Sequence, residues 1–319
     1  MSGPVAFALS SSYFAGRALR PEEMAAQTRA LGFDAVELGY FTRETQLDGW
    51  AHALAAEGLH VSSIHAFCPL DVGAAQLGPE IFSLAATDRD ERAAAIRGAL
   101  RSLRCAERFG AAAVVMHGGR VPLRESGLLF GSRPYRSRLE RAFRASGGRA
   151  DRDLAEYERQ LREAAAPRCL DALSFALDAL LGPFEAAGVA LCFENLPGLE
   201  AFPDPAELAF LAERFPTPAL AAWYDVGHGE RKARVGDWPV AETLRLTARL
   251  TRGVHLHDVR GLDEDHCAPG EGGVDFAALA PWLATRGLIR VFEPAPSVSP
   301  EALVRGRTLL GELLGAQER

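Results

Sequence analysis

The sequence predicts an α/β chain closed into a (β/α)8 barrel with a long insertion after the fourth strand. Three observations predict it. Eight short apolar runs alternate with longer Ala-, Leu-, Glu- and Arg-rich segments, a glycine precedes most of the runs, and the runs from the third onward carry His, Asp or Glu at their ends. Apolar runs of strand length separated by segments of helical spacing are the pattern of a parallel sheet with crossover helices. Eight of them, each followed by a helical segment, point to a closed ring rather than an open doubly wound sheet.

The runs fall at about 4–9 (PVAFAL), 34–38 (DAVEL), 60–65 (HVSSIH), 112–117 (AAVVMH), 189–194 (VALCFE), 219–225 (ALAAWYD), 253–258 (GVHLHD) and 289–293 (IRVFE). Helix starts are legible between them. Pro21 with Glu22 and Glu23 marks one first turn, and Asp204-Pro205 reads as an N-cap followed by a proline at the first helical position. Gly32, Gly58, Gly110, Gly188 and Gly287 each stand just before a strand, where a left-handed residue closes the preceding helix. A length of 319 residues suits one barrel domain, so a second domain is not required.

Composition excludes several classes. The formal net charge of −7 argues against a general nucleic-acid surface, which needs clustered Lys and Arg. Cys68, Cys105, Cys169, Cys192 and Cys267 form an odd set without a C-x-x-C pair, so they read as reduced, buried thiols rather than disulfides or a thiolate zinc site. The N-terminal residues lack a basic, apolar leader pattern and no run approaches a membrane span, so a cytoplasmic protein without membrane contact is expected. Lys232 is the single lysine, which leaves little support for Schiff-base or P-loop chemistry.

One stretch breaks the rhythm. About fifty residues separate the fourth run from the helix expected near Pro167, and residues 119–152 carry nine Arg against Glu125, Glu140 and Asp151. An excursion of about 119–165 over the barrel mouth is expected. Its arginines read either as a solvated helical face or as a lid offering Arg133, Arg136 and Arg138 to a phosphate or carboxylate.

Chemistry in such a barrel sits at the carboxyl ends of the strands. His65, His117, Glu194, Asp225, His255 and Glu293 fall there, with His228 three residues beyond Asp225 and His266 in the loop after the seventh strand. Imidazoles and carboxylates converging on one cavity repel or stay unpaired unless a cation organises them, and such an N/O set suits Zn, Mn, Fe or Co. Gly227 is read as the residue that turns the backbone so that His228 returns to the mouth. His257 shares a strand face with His255 and is either a second inward group or a supporting partner. Asn195, His257 and Arg260, together with Arg133 and Arg136, are the candidate substrate contacts, while His52 and His60 stand outside the site.

The words LGFDAVEL, SSIHAF, AVVMHGG, LCFENLPG, WYDVGH, GVHLHD, PGEGGVDF and VFEP span nearly the whole chain. In these the sequence resembles the xylose isomerase-like TIM barrel superfamily, which includes sugar phosphate isomerases and epimerases and endonuclease-four-type apurinic endonucleases. Resemblance to the epimerase branch implies one divalent metal on Glu194, Asp225, His255 and Glu293. Resemblance to the endonuclease branch adds His65, His117, His228, Glu264 and His266 and implies up to three ions. That branch's Tyr and Asn after the strand-three His have no counterpart in His65-Ala66-Phe67-Cys68-Pro69, and its Arg-containing loop after strand two is poorly matched by residues 40–45. A nucleic-acid substrate is therefore set aside in favour of a small molecule, a sugar or sugar phosphate. The leading expectation is a metal-dependent isomerase or epimerase with Glu194 and Glu293 as base and acid. A multinuclear hydrolase of the phosphodiesterase or endonuclease kind and a noncatalytic metal- and ligand-binding protein are the alternatives. A homo-oligomer is compatible with the sequence.

Overall fold

Eight parallel strands close into a barrel: β1 (Ala8–Ser10), β2 (Ala35–Leu38), β3 (His60–His65), β4 (Ala113–Met116), β5 (Ala190–Glu194), β6 (Leu220–Asp225), β7 (Thr251–Leu256) and β8 (Ile289–Phe292). The computed structural model describes residues 6–70, 78–123 and 138–317. Strands follow one another around the ring in chain order, and the ring closes where Ala8 pairs with Val291. The seventh strand ends earlier than expected. It ends at Leu256, and Asp258–Arg260 leaves the ring to pair antiparallel with Glu264–Cys267.

Strand parity builds the site. Ala8, Ala35, Ala113, Val115, Ala190, Cys192, Ala221, Trp223 and Val291 form one buried cluster inside the ring. Stepping two residues onward along a strand keeps the same face, so the steps from Ala35, Val115, Cys192, Trp223 and Val291 lead to Glu37, His117, Glu194, Asp225 and Glu293. Trp223 fills much of this interior because Gly253 on the next strand has no side chain: a Cβ there would lie 2.2 Å from the indole. The inner residues are otherwise small, which leaves the polar layer room at the top.

The expected punctuation is present. Gly32, Gly58, Gly110, Gly188 and Gly287 all have φ between 64° and 82°. Asp204 caps the helix Pro205–Arg214 by accepting the Glu207 backbone N–H at 2.8 Å. The helix Pro21–Ala30 begins on its proline, and all five cysteines are buried and unpaired. No helix among the described residues is long and apolar enough to cross a membrane.

Between β4 and the helix Pro167–Ala187, the described residues hold a two-residue strand, Gly119–Arg120, and the helices Arg138–Ala145 and Arg152–Ala165. Gly119–Arg120 pairs antiparallel with Ala201–Phe202, the segment after β5. The helices rest on the loops that follow β5, β6 and β7: Leu139 and Ala155 share a buried cluster with Leu199, Val235 and Leu262. Arg162 anchors the second helix. Only 2% exposed, it reaches Asp204 at 3.0 Å, Glu207 at 2.7 Å and the Ala201 carbonyl at 2.7 Å. Breaking a buried ion pair from one side strands the partner charges. Arg162→Met is expected to lower unfolding stability in urea by about 3 kcal/mol; a change below about 1 kcal/mol would show that solvent reaches the carboxylates.

Candidate metal centre

At the carboxyl ends of β3 to β8 the structure brings together His65, His117, Glu194, Asp225, His228, His255 and Glu293, none more than 9% exposed. Glu194 stands at the middle. Its Oε2 lies 3.3 Å from His65 Nε2 and 3.3 Å from His117 Nε2, and its Oε1 lies 3.2 Å from His228 Nδ1 and 3.6 Å from His255 Nδ1. His255 Nδ1 is also 3.1 Å from Glu293 Oε2 and 3.7 Å from Asp225 Oδ2. Ligand atoms of Glu194, Asp225, His255 and Glu293 all lie within 4.8 Å of one another, as do those of His65, Glu194 and His255.

Hydrogen bonds elsewhere on the rings show which nitrogens face the centre as acceptors. His65 Nδ1 sits 3.1 Å from the Ala66 carbonyl and must donate to it, which leaves Nε2 to face the Glu194 carboxylate. His255 Nε2 faces Glu37 Oε1 at 3.1 Å and must carry a proton there, so Nδ1 is the atom turned inward. Glu194 Oε2 and His255 Nδ1 are buried and make no hydrogen bond. Zinc–nitrogen and zinc–oxygen bonds of about 2.0–2.2 Å imply ligand–ligand spacings of roughly 3.0–3.5 Å. The orphaned atoms and their spacing fit a divalent cation on these residues.

Without such a cation the cluster is held by shared protons. Burial opposes charge on Glu194, but His255 and His117 hold it well below the usual carboxylate range. Burial likewise opposes ionisation of Glu293, and His255 and His266 overcome it. Burial would lower His117, yet Glu194 and Glu80 raise it to about 9. Burial also acts against His266, and Asp265 and Glu293 raise it to about 10.

The remaining candidates separate. Asn195 uses both ends of its amide on Asp225, donating to its carbonyl at 3.0 Å and accepting its N–H at 2.8 Å, so it fixes β5 to β6 and keeps one amide N–H and one oxygen lone pair in hand. His257 is fully buried; it accepts the His266 N–H at Nδ1 (2.9 Å) and donates from Nε2 to Asp225 Oδ1 (2.9 Å). It orients Asp225, and neither nitrogen is left for a substrate. Gly227 does not turn the backbone: the helix Val226–Arg234 begins at once, capped by Asp225, whose Oδ1 accepts the His228 N–H at 2.6 Å. A Cβ at Gly227 would lie 2.0 Å from the His257 ring, so the position is small for packing.

His266 reaches the rim, 3.8 Å from Glu293 Oε2, but Glu264 does not. Glu264 is 62% exposed and pairs with Arg260 at 3.1 Å. The left-handed backbone at His266 (φ 58°) breaks the alternation that would put positions 264 and 266 on one face, and Asp265 meets His266 Nδ1 instead, at 3.2 Å. Arg260 is held by Glu264 and Glu271, away from the cluster. Arg133 and Arg136 lie outside the described residues, whereas Arg138 pairs with Glu158 and Arg144 with Asp263, so these two serve the chain's own carboxylates. His52 and His60 are exposed, away from the site.

Four residues escaped sequence reasoning. Glu37 orients His255 and takes the Ser63 hydroxyl at 2.7 Å; the signal was a carboxylate inside the apolar run AVEL, two positions after an inward Ala. Glu80 faces His117 at 3.7 Å from a loop without any pattern. Tyr40, partly exposed beyond β2, sets its ring 5.6 Å from that of His65. Asp258 is 1% exposed and accepts the backbone N–H groups of Gly270, Gly272 and Val274 at 2.9–3.0 Å, which explains the glycine-rich PGEGGV segment as a loop wrapped on one carboxylate.

This fold and polar rim define a barrel protein with a buried imidazole and carboxylate centre. The chain belongs to the xylose isomerase-like TIM barrel family, whose profile matches residues 25–305. Among solved structures it is similar to a D-tagatose 3-epimerase-like protein (16% identity, TM-score 0.66, 98% of each chain). It is similar also to an L-ribulose 3-epimerase (18%, TM-score 0.66, 99% of this chain and 96% of that one). A Thermus thermophilus protein soaked with zinc chloride aligns at 21% identity and TM-score 0.60 over 98% of this chain and 99% of its own. No curated protein sequence matches the chain.

Protons on His117 and His266 compete with any cation that binds there, so metal uptake must release protons. Both imidazoles are raised, to about 9 and about 10, and are therefore charged at pH 7. Apparent zinc affinity of chelator-treated protein is expected to rise as pH climbs from 7 towards 9, with protons released in calorimetry repeated in two buffers of different ionisation enthalpy. Asp225→Ala is expected to weaken uptake at every pH. A pH-independent affinity would remove both histidines from the ligand set.

Proposed function

We propose that the protein is a metal-dependent isomerase or epimerase of a sugar or sugar derivative, moving a proton at a carbon beside a carbonyl. The observation that carries the reading is the buried quartet at the ends of β5 to β8, in which Glu194 and Glu293 approach His255 Nδ1 to 3.6 and 3.1 Å. The likeness to solved 3-epimerases adds support.

A divalent cation on Glu194, Asp225, His255 and Glu293 would polarise a substrate carbonyl and raise the acidity of the adjacent carbon. The chain's own groups supply the rest. Glu293, held in the ionised form against burial, is able to accept a proton, and Glu194, ionised as well, must first take one from a substrate hydroxyl or water before it returns one from across the quartet. Glu37 keeps the His255 ring from turning, and Asn195 with His257 does the same for Asp225. Tyr40, partly exposed with its ring 5.6 Å from that of His65, is a candidate contact for a substrate hydroxyl.

A second reading has its own observation. Glu194 gives one oxygen to His65 and His117 and the other to His228 and His255, so these residues would hold more than one cation, which would supply the chemistry of a multinuclear phosphoester hydrolase. Metal content separates the readings, near one ion per chain for epimerisation and near three for hydrolysis. Solvent-deuterium exchange into ketoses and sugar phosphates tests the chemistry directly. Exchange beside the carbonyl is expected in the wild type, with a loss of at least about 100-fold in Glu194→Gln and in Glu293→Gln carrying the same metal. No exchange on any such substrate, with metal-dependent cleavage of a phosphodiester, assigns the hydrolase.

A further inference from the structure

His266 is held in place from outside the barrel. It is the one non-glycine residue with positive φ among the described residues (58°), a conformation that persists where its surroundings over-determine it. Those surroundings are specific. The ring stacks on His257 with centroids 4.0 Å apart, and Nδ1 faces Asp265 Oδ1 at 3.2 Å. The other Asp265 oxygen meets Arg231 Nη1, and Arg231 Nη2 reaches Glu140 Oε1 at 3.4 Å. Glu140 belongs to the helix Arg138–Ala145 of the excursion, and the same helix grips Asp263 through both terminal nitrogens of Arg144. One helix therefore holds the His266-bearing ribbon directly through Arg144 and Asp263 and indirectly through Glu140, Arg231 and Asp265. Arg231 and Glu140 are only 17% and 14% exposed, so water screens them less than a surface pair.

We propose that Glu140, Arg231 and Asp265 form a positioning relay through which the excursion helix sets His266 against the buried quartet. A planar guanidinium between two carboxylates specifies their separation as a point charge cannot. Asp265 accepts the Nδ1 proton, so the nitrogen left to a cation is Nε2, which faces Glu293 3.8 Å away. The excursion thereby acquires a task other than capturing an anion: its docking on the ribbon decides whether His266 can serve as a ligand. The inference rests on the metal reading above.

Cobalt(II) titration of the chelator-treated full chain tests it, read by visible absorption, with melting temperature measured alongside. His266→Ala is the reference for loss of the ligand. Asp265→Asn and Arg231→Lys, which keep size or charge but not the fork, are expected to weaken the cobalt ion that contacts His266 by about 10- to 100-fold. They should also alter its absorption envelope, which a purely structural role would leave unchanged. Glu140→Gln, which touches no candidate ligand, is expected to shift both in the same direction by a smaller factor. Wild-type isotherms and spectra in all three variants, with His266→Ala impaired, overturn the relay and leave the metal reading standing. Failure of the wild type to bind cobalt overturns both.

Discussion

A carboxylate buried among imidazoles is the constraint from which the rest of this structure follows. Glu194 is 3% exposed and is approached by four ring nitrogens, yet its Oε2 makes no hydrogen bond. An unpaired buried charge costs several kcal/mol even after relaxation, so the fold must bring positive charge to it, as protons on the rings or as a cation. The two choices exclude each other at the same nitrogens. The raised imidazoles and lowered carboxylates of the metal-free cluster are therefore the same fact as its fitness for a metal.

Holding those groups at 3–4 Å requires a second layer of support, and most of it comes from backbone and buried polar side chains. Glu37 on β2 fixes His255 on β7 across the barrel interior, a contact 218 residues apart in sequence. Asn195 staples the ends of β5 and β6, and His257 braces Asp225 from the start of the ribbon. Asp258, beside it, gathers the following loop by its amides. These side chains restrict the rotamers of the inner ring, and small errors in ring direction are what a site of this kind tolerates least.

The family supplies a scaffold on which several chemistries are built, so the barrel alone does not choose among them. In this chain Glu194 serves four rings, and several arginines of the excursion are tied to the chain's own acids. Arg120 meets Glu80 and Glu200, Arg138 meets Glu158, and Arg162 meets Asp204 and Glu207. Of the arginines read in sequence as a lid for an anion, Arg138 thus acts as a strut within the excursion.

Much of the barrel and its inner ring was legible in advance because period-two burial and strand-end position are local properties of a sequence. The runs ending in His65, His117, Glu194, Asp225 and Glu293 needed only the rule that strand ends share one rim. The glycine caps and the Asp204-Pro205 start were equally local. The partners were not: Glu80 comes from a loop without a pattern, and the choice of Asp265 over Glu264 turns on one left-handed backbone angle. Asn195 and His257 were visible as polar residues near the rim, but the hydrogen bonds by which they brace Asp225 depend on the neighbouring strand. The sequence by itself determined the ring, its polar rim and the residue types that face it; only the tertiary structure decided which of them point inward and which brace the others, because orientation is set by hydrogen bonds between segments far apart in the chain.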